Sequence, residues 1–382
     1  MFQIGIVPTP VTSFAVVKYK KDGGVMITAS HNPPEWNGFK LYKEGGASCA
    51  QGTGMEAVKK ITLSGKFTKG KGEVKRCGEV LDDYSNFIEE KITIEKPLKV
   101  AMDTSNGASS IIAPKIFKKY GCEVIGINME PNGSFPGHSP EPTEETLTDL
   151  KKVVKDEKAD FGVGYDGDGD RSVFIDDKGQ MVPADITLTI FSNYLLKRNK
   201  GSKVVYSVDC SSVVEEAIKA KGGVPIVSKV GRTFIIEKMI EENAILGGES
   251  SSHFYFGEIN GFDDGVFASL RLTEILSKTN KKYSEMVKII PRYPSIPIMK
   301  FECSDDKKFK VVEELKDEFE ISGYETIDLD GVKVFSPEGW FLIRASNTMP
   351  QVKMTAEAKS EKELNKLVKY ATRKINEKIK KV

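Results

Sequence analysis

Short apolar runs alternate with stretches of helical periodicity along most of the chain. The segments at 24–28 (GVMIT), 98–102 (LKVAM), 123–127 (EVIGI), 159–163 (ADFGV), 171–175 (RSVFI), 203–208 (KVVYSV) and 244–247 (AILG) read as buried strands. Between several of them, 108–121, 143–157 and 211–223 carry helical spacing. Gly121 follows Lys118 and Lys119 where a helix C-cap is expected, and Thr143 precedes Glu144 and Glu145 as an N-cap with an acidic first turn. Strand and helix alternating in this way predict α/β layers with parallel or mixed sheets. From 296 the order changes to a helix around 305–320, strands near 325–334, 339–344 and 351–358, and a lysine-rich helix from about 360, which is α+β. Gly/Lys-rich 68–80, KRNKGS at 197–202 and RYPSIP at 292–297 read as boundaries. They divide the chain into 1–80, 81–199, 200–294 and 295–382.

The chain has 382 residues with 39% hydrophobic and 29% charged positions, enough apolar material for sizeable cores without disulfides. Its 56 Lys and Arg against 55 Asp and Glu supply no global field for nucleic acid or an anionic membrane, so neither is expected as a partner. The closing ATRKINEKIKKV is basic, but Ile375, Ile379 and Val382 recur at helical spacing, which reads as a solvated helix face. Cys49, Cys77, Cys122, Cys210 and Cys303 are scattered and odd in number, a usage that fits a reducing compartment. The opening MFQIGIVPTP has no basic and apolar leader pattern, and no uncharged run approaches the roughly 18 residues of a membrane span. The expectation is a cytoplasmic protein; oligomeric state is not legible.

Four polar loops concentrate the chemistry. In Asp166-Gly167-Asp168-Gly169-Asp170-Arg171, three carboxylates at alternate positions, separated by glycines, can converge on one hard cation. Left alone they repel one another, which disfavours a plain solvated turn. An EF-hand is excluded because Arg171 replaces the glycine at its sixth position and Asp177 the glutamate at its twelfth. Few ligands in a tight loop suit Mg²⁺, which commonly completes its shell with water and a phosphate oxygen. Thr28-Ala29-Ser30-His31-Asn32-Pro33-Pro34 places Ser30 at a loop apex that two prolines keep out of a helix, and Asn37-Gly38-Phe39-Lys40 returns a lysine toward it. Gly247-Gly248-Glu249-Ser250-Ser251-Ser252-His253 has the hydroxyls, carboxylate and imidazole that recognise a polyhydroxylated ligand. Arg344-Ala345-Ser346-Asn347-Thr348-Met349-Pro350 offers an anion cradle. Two of the three histidines, His31 and His253, fall in these loops.

In this order and at these separations, T-A-S-H-N-P, D-G-D-G-D-R, G-G-E-x-S-x-H and R-x-S-N-T-x-P resemble the motifs of the α-D-phosphohexomutases. That family includes phosphomannomutase, phosphoglucomutase and phosphoglucosamine mutase. The likeness extends through DTSNGASS at 103–110, NGSFPGHSPEP at 132–142 and FDDGVFASLRLTEIL at 262–276. The resemblance implies three related α/β domains and a smaller C-terminal α+β domain. It implies a mutase that interconverts hexose 1-phosphates and hexose 6-phosphates through a phosphoserine and a hexose 1,6-bisphosphate. By motif match, Ser30 is the expected phosphoryl carrier, with Lys40, Arg171 and His31 as catalytic neighbours. Asp166, Asp168, Asp170 and the serine are the expected Mg²⁺ ligands. Glu249, Ser251 and His253 are expected to contact the sugar, and Arg344, Ser346, Asn347 and Thr348 to clamp the distal phosphate. Family members usually carry an opening T-S-G-x-R-type motif that this sequence does not show, so an incomplete first domain and impaired turnover are expected; a sugar-phosphate-binding protein is then an alternative. S-N-T in place of the S-G-T of phosphoglucosamine mutases favours mannose or glucose phosphates over that rival. KVGR at 229–232 matches only loosely, and no role is expected there.

Overall fold

The computed structural model describes residues 1–346 and 349–382. Residues 99–182 build a five-stranded sheet in the order Met181–Val182, Ser172–Ile175, Phe161–Tyr165, Lys99–Asp103, Glu123–Ile127. Its last three strands are parallel, and the Ser172–Ile175 strand turns back antiparallel against Phe161–Tyr165. Residues 203–256 repeat the scheme with four strands, Val224–Ser228, Lys203–Ser207 and Leu246–Gly248 in parallel, then Phe254–Phe256 antiparallel. The parallel strands are apolar on both faces because helices cover them, which is why they read as continuous hydrophobic runs rather than alternating ones.

The C-terminal part is an antiparallel sheet of five strands, in the order Met299–Glu302, Gln351–Ala358, Gly339–Ala345, Val332–Phe335, Glu325–Asp328. The helices Lys308–Ile321 and Glu361–Lys381 bury Leu315, Phe319, Leu367 and Ile375 with it in a core of its own. A separate, continuous core runs from Val7 and Phe14 through Phe161 and Phe174 to Leu270 and Ile290. The two meet at a small apolar junction of Val208, Trp340 and Leu342, where Lys333 lies 3.7 Å from the Trp340 ring centroid and donates to Val208 O at 2.8 Å.

In the opening part, the helix Thr9–Lys18 buries Thr9 to Val16 against the strand Gly23–Ile27 and the helix Val80–Glu89. A three-stranded antiparallel sheet follows, Gly23–Ile27, Phe39–Lys43 and Ser48–Cys49, while Phe2–Gln3 pairs in parallel with Lys75–Arg76. Strand alternation sends Met26 and Lys40 to one face and leaves Val25, Ile27 and Phe39 on the other, exposed by 58%, 64% and 68%.

Two predicted helices differ from those observed. The 108–121 segment is a 3₁₀ turn, Ala108–Ile111, followed by the helix Ala113–Lys119, because Pro114 has no N–H to continue a ladder and suits only a helix's first turn. The second helix begins at Thr148, since Thr143 closes a turn of its own by accepting from Thr146 N at 3.2 Å. Among the described residues, no helix is long and apolar enough to cross a membrane.

Candidate active site

All four polar loops are connections between adjacent antiparallel strands. The 28–38 loop follows the Ile27 to Phe39 pairing, 166–171 follows Tyr165 to Ser172, 249–253 follows Gly248 to Phe254, and 346–351 follows Ala345 to Val352. Four of the sheets therefore carry one of these loops each, and three of the loops meet.

Ser30 has φ 59°, in the left-handed region where a residue with a side chain is held only by its surroundings. Its N–H donates to Thr28 Oγ1 at 2.8 Å, and Thr28 Oγ1 donates to Asp168 Oδ2 at 3.0 Å. The hydroxyl of Ser30 thereby reaches Asp168 Oδ1 at 3.3 Å and Asp166 Oδ2 at 3.5 Å, with His31 Nδ1 at 3.4 Å on its other side. The close approach requires glycine: a Cβ on Gly167 would lie 2.5 Å from Ser30 O. On the far side of the loop, Gly265 N donates to Gly169 O at 3.2 Å, tying the start of the helix Gly265–Ser277 to the carboxylates.

Asp166, Asp168 and Asp170 are all buried, and one oxygen from each lies within 4.8 Å of the others. Thr9 Oγ1 and Lys40 Nζ both donate to Asp168 Oδ2 at 2.7 Å, and Lys40 also reaches Asp170 Oδ2 at 2.5 Å. Asp166 Oδ1 accepts from Gly169 N at 2.9 Å and Arg171 N at 3.2 Å. Burial, together with the neighbouring Asp170 and Asp168 charges, pushes the Asp166 carboxyl well above its ordinary range. Burial pushes Asp170 the same way, but Lys40 and His253 outweigh it and hold Asp170 well below. Lys40 is correspondingly raised, since Asp170 and Asp168 overcome its own desolvation. Burial and the Arg171 charge hold His31 below the usual imidazole value.

The third tip joins through a bridge between Arg171 and His253. His253 Nε2 lies 3.4 Å from both Arg171 Nε and Asp170 Oδ1, and its Nδ1 faces Ser251 Oγ at 3.0 Å. Glu249 accepts from Gly231 N at 2.8 Å and from Tyr255 OH at 2.5 Å. Ser30, His31, Lys40, Asp166, Asp168, Asp170, Arg171, Glu249, Ser251 and His253 thus form one contiguous cluster. The fourth tip stands apart from it. Arg344 pairs with Asp330 at 3.2 Å, and Ser346 Oγ accepts from Met349 N at 3.3 Å. The expected clamp residues Asn347 and Thr348 lie outside the described residues.

Sequence reasoning missed Arg232. It is half-buried, places Nε 2.6 and 2.7 Å from the two oxygens of the buried Asp263, reaches Ser48 Oγ through Nη1, and lies 5.3 Å from the Tyr42 ring centroid. Gly231 before it, with φ 128°, and the doubled acid in FDDG were the local signals, but the partners are 31 residues apart in sequence.

The acidic site fits a hard divalent cation. Asp170 Oδ1 is buried and, with His253 Nε2 no nearer than 3.4 Å, accepts no well-formed hydrogen bond among the described residues, and the triad's donor set is entirely oxygen, as such an ion requires.

Comparison with known proteins identifies the family. Models of the phosphoglucomutase/phosphomannomutase family match domain I over residues 1–69, domain II over 82–179, domain III over 183–293 and the C-terminal domain over 298–374. A phosphomannomutase/phosphoglucomutase from Pseudomonas aeruginosa is 36% identical over 366 residues, 95% of this chain and 78% of the relative. A probable phosphoglucosamine mutase from Methanothermobacter thermautotrophicus is 37% identical over 370 residues, 94% of this chain and 80% of that protein. The crystal structure of a phosphoglucomutase/phosphomannomutase family protein from Burkholderia thailandensis superposes with a TM-score of 0.91 at 31% identity, covering 99% of this chain and 82% of its own. With four domain models matched in order and three polar hairpin tips gathered at one acidic centre, the chain belongs to the phosphoglucomutase/phosphomannomutase family of intramolecular phosphotransferases.

Proposed function

We propose that this chain interconverts the 1- and 6-phosphates of a hexose, mannose or glucose, with Ser30 as phosphoryl carrier. The observation that carries the reading is the Ser30 hydroxyl, held in a strained backbone conformation 3.3 and 3.5 Å from two carboxylates of the acidic triad. In the forward step, a sugar hydroxyl oxygen attacks phosphorus of phospho-Ser30. The P–Oγ bond breaks, and the hydroxyl proton passes to the departing serine oxygen, giving a hexose 1,6-bisphosphate. The bisphosphate then turns over, Ser30 Oγ attacks the other phosphorus, the P–O bond to the sugar breaks, and the serine proton passes to the departing sugar oxygen. Lys40 and Arg171 meet the charge on the transferring group, and His31 Nδ1 faces the serine hydroxyl at 3.4 Å where its proton is exchanged. Asp166, Asp168 and Asp170, with the Ser30 oxygen, would hold Mg²⁺, which supplies electrostatic stabilisation of the phosphoryl oxygens. Glu249, Ser251 and His253 contact sugar hydroxyls. Arg344 and Ser346, on their separate domain with Asn347 and Thr348, take the phosphate that is not reacting. Domain limits near 80, 199 and 295 and a cytoplasmic setting complete the reading.

The test is labelling with glucose 1,6-bisphosphate carrying ³²P. Wild type takes up label at Ser30 and catalyses turnover, whereas Ser30→Ala does neither while keeping its far-ultraviolet spectrum. Wild-type turnover in Ser30→Ala would overturn the assignment. A glucosamine phosphate reading is favoured by the Methanothermobacter relative. Side-by-side rates on mannose, glucose and glucosamine phosphates decide between the two.

A further inference from the structure

The parallel strands Lys203–Ser207, Val224–Ser228 and Leu246–Gly248 send their C-terminal ends toward Asp209, Gly231 and Glu249, on the side of the active centre. At their opposite ends lies a cavity of about 760 Å³. Leu196, Ile275, Met286 and Ile290 give it an apolar floor, and Lys197, Lys200, Lys221 and Lys281 surround it. No Asp or Glu lines it, and none of these four lysines enters an ion pair among the described residues. In a chain whose cations and anions number 56 and 55, four uncompensated lysines around one apolar cavity are a local excess. Lys197 and Lys221 follow directly on helices, where a cation offsets the carbonyl dipole. Lys200 and Lys281 lie outside helices, and that explanation does not reach them.

We propose that this cavity binds a small amphiphilic anion, a phosphate monoester or carboxylate head on an aliphatic body, at a site separate from the catalytic one. The hydrocarbon occupies the Leu196, Ile275 and Met286 floor, and the head meets the lysines. The position gives such a ligand a route to catalysis. The helix Gly265–Ser277 begins at the hydrogen bond from Gly265 N to Gly169 O in the acidic loop and ends beside the cavity at Ile275. Its 13 residues span about 20 Å as a rigid, buried rod. The helix Ala184–Leu196 also ends at the cavity.

The experiment is isothermal titration of the full chain with decyl phosphate below its micelle-forming concentration, with decanoate, 1-decanol and inorganic phosphate as parallel arms. One saturable site for decyl phosphate is expected, with 1-decanol and inorganic phosphate each at least tenfold weaker. Decanoate equal to decyl phosphate assigns the site to anions in general, and a weaker decanoate assigns it to phosphate; either supports the proposal. The double variant Lys200→Glu/Lys281→Glu should lose at least tenfold in affinity, and Lys200→Gln/Lys281→Gln a smaller factor, with melting and ligand-free mutase rate unchanged in both. Equal binding of 1-decanol, wild-type affinity in the Glu variant, or displacement by glucose 1,6-bisphosphate would overturn the proposal, as would the lack of any saturable binding.

Discussion

Replacing Arg232 with Met tests whether the centre depends on a pair that its local sequence does not announce. The Asp263 side chain has 0% exposure, and Arg232 Nε lies within 2.7 Å of both its oxygens. The next cationic group is His253, whose Nε2 is 3.9 Å from Asp263 Oδ2. Methionine preserves most of the aliphatic packing beside Tyr42 but leaves a buried carboxylate without its countercharge. Breaking a buried pair from one side costs about 3–5 kcal/mol, most of it the penalty on the group left behind. Urea unfolding followed by fluorescence should register that loss in Arg232→Met. Asp263→Leu combined with Arg232→Met removes both charges and should recover the larger part, giving a coupling of roughly 2 kcal/mol or more. A loss below about 1 kcal/mol in the single variant, or a double variant no better than the single, would refute the reasoning.

Asp264 supplies a pH test. Burial raises its carboxyl from 3.8 to about 7, although Phe267 N and Tyr84 OH both donate to it. The folded chain then retains a proton that the unfolded chain releases, so this group's contribution falls as pH rises from about 4 to about 7, by on the order of 4 kcal/mol. Asp264→Asn keeps an acceptor and should remove that slope; equal slopes in the two proteins would contradict the argument. Lys40→Met strips a cation from Asp168 and Asp170, so it should lower the melting temperature in chelator and gain more from added Mg²⁺ than wild type does; an equal Mg²⁺ effect would place the ion elsewhere. Threonine at Val25, Ile27 and Phe39 should raise soluble concentration, read by light scattering, at a stability change within about 0.5 kcal/mol, whereas a large loss would show that this face is covered.

Most strands were legible because covered parallel strands leave unbroken apolar runs of the right length, as at 161–165 and 203–207. The helix Gly265–Ser277 was not predicted from its pattern: all 13 of its residues are buried, so no polar stripe marks a period. Thr9–Lys18 was missed for the same reason, with Thr9 to Val16 all covered. Within the site, residue types and local turns were readable, since glycines at 167 and 169 and the prolines after Asn32 constrain the loops that carry Asp168 and Ser30. Convergence was not readable. Ser30 and Asp168 are 138 positions apart, and motif resemblance alone joined them before the hairpin tips did so in space. Charge states lie further out of reach, because the opposite displacements of Asp166 and Asp170 follow from where Lys40 sits.

That placement of Lys40 also explains how the centre tolerates its own charge. With all three carboxylates ionised and His253 neutral, the triad faces two fixed cations, Lys40 and Arg171, and the centre carries a formal excess of one negative charge. Adding a phosphoryl dianion to Ser30 alone would deepen that excess to three at a serine 3.3 Å from Asp168, where burial leaves little solvent to screen it. A divalent cation on the triad brings the phosphorylated centre back to an excess of one, the same balance as the bare protein. On the proposed assignment of Ser30 and the triad, cation and phosphoserine would each be stabilised by the other, and removal of the metal should destabilise the phosphorylated form more than the dephosphorylated one. Melting both forms in chelator and in Mg²⁺ reads this directly: a metal effect of equal size on the two would mean that the ion and the phosphoryl group do not share the site.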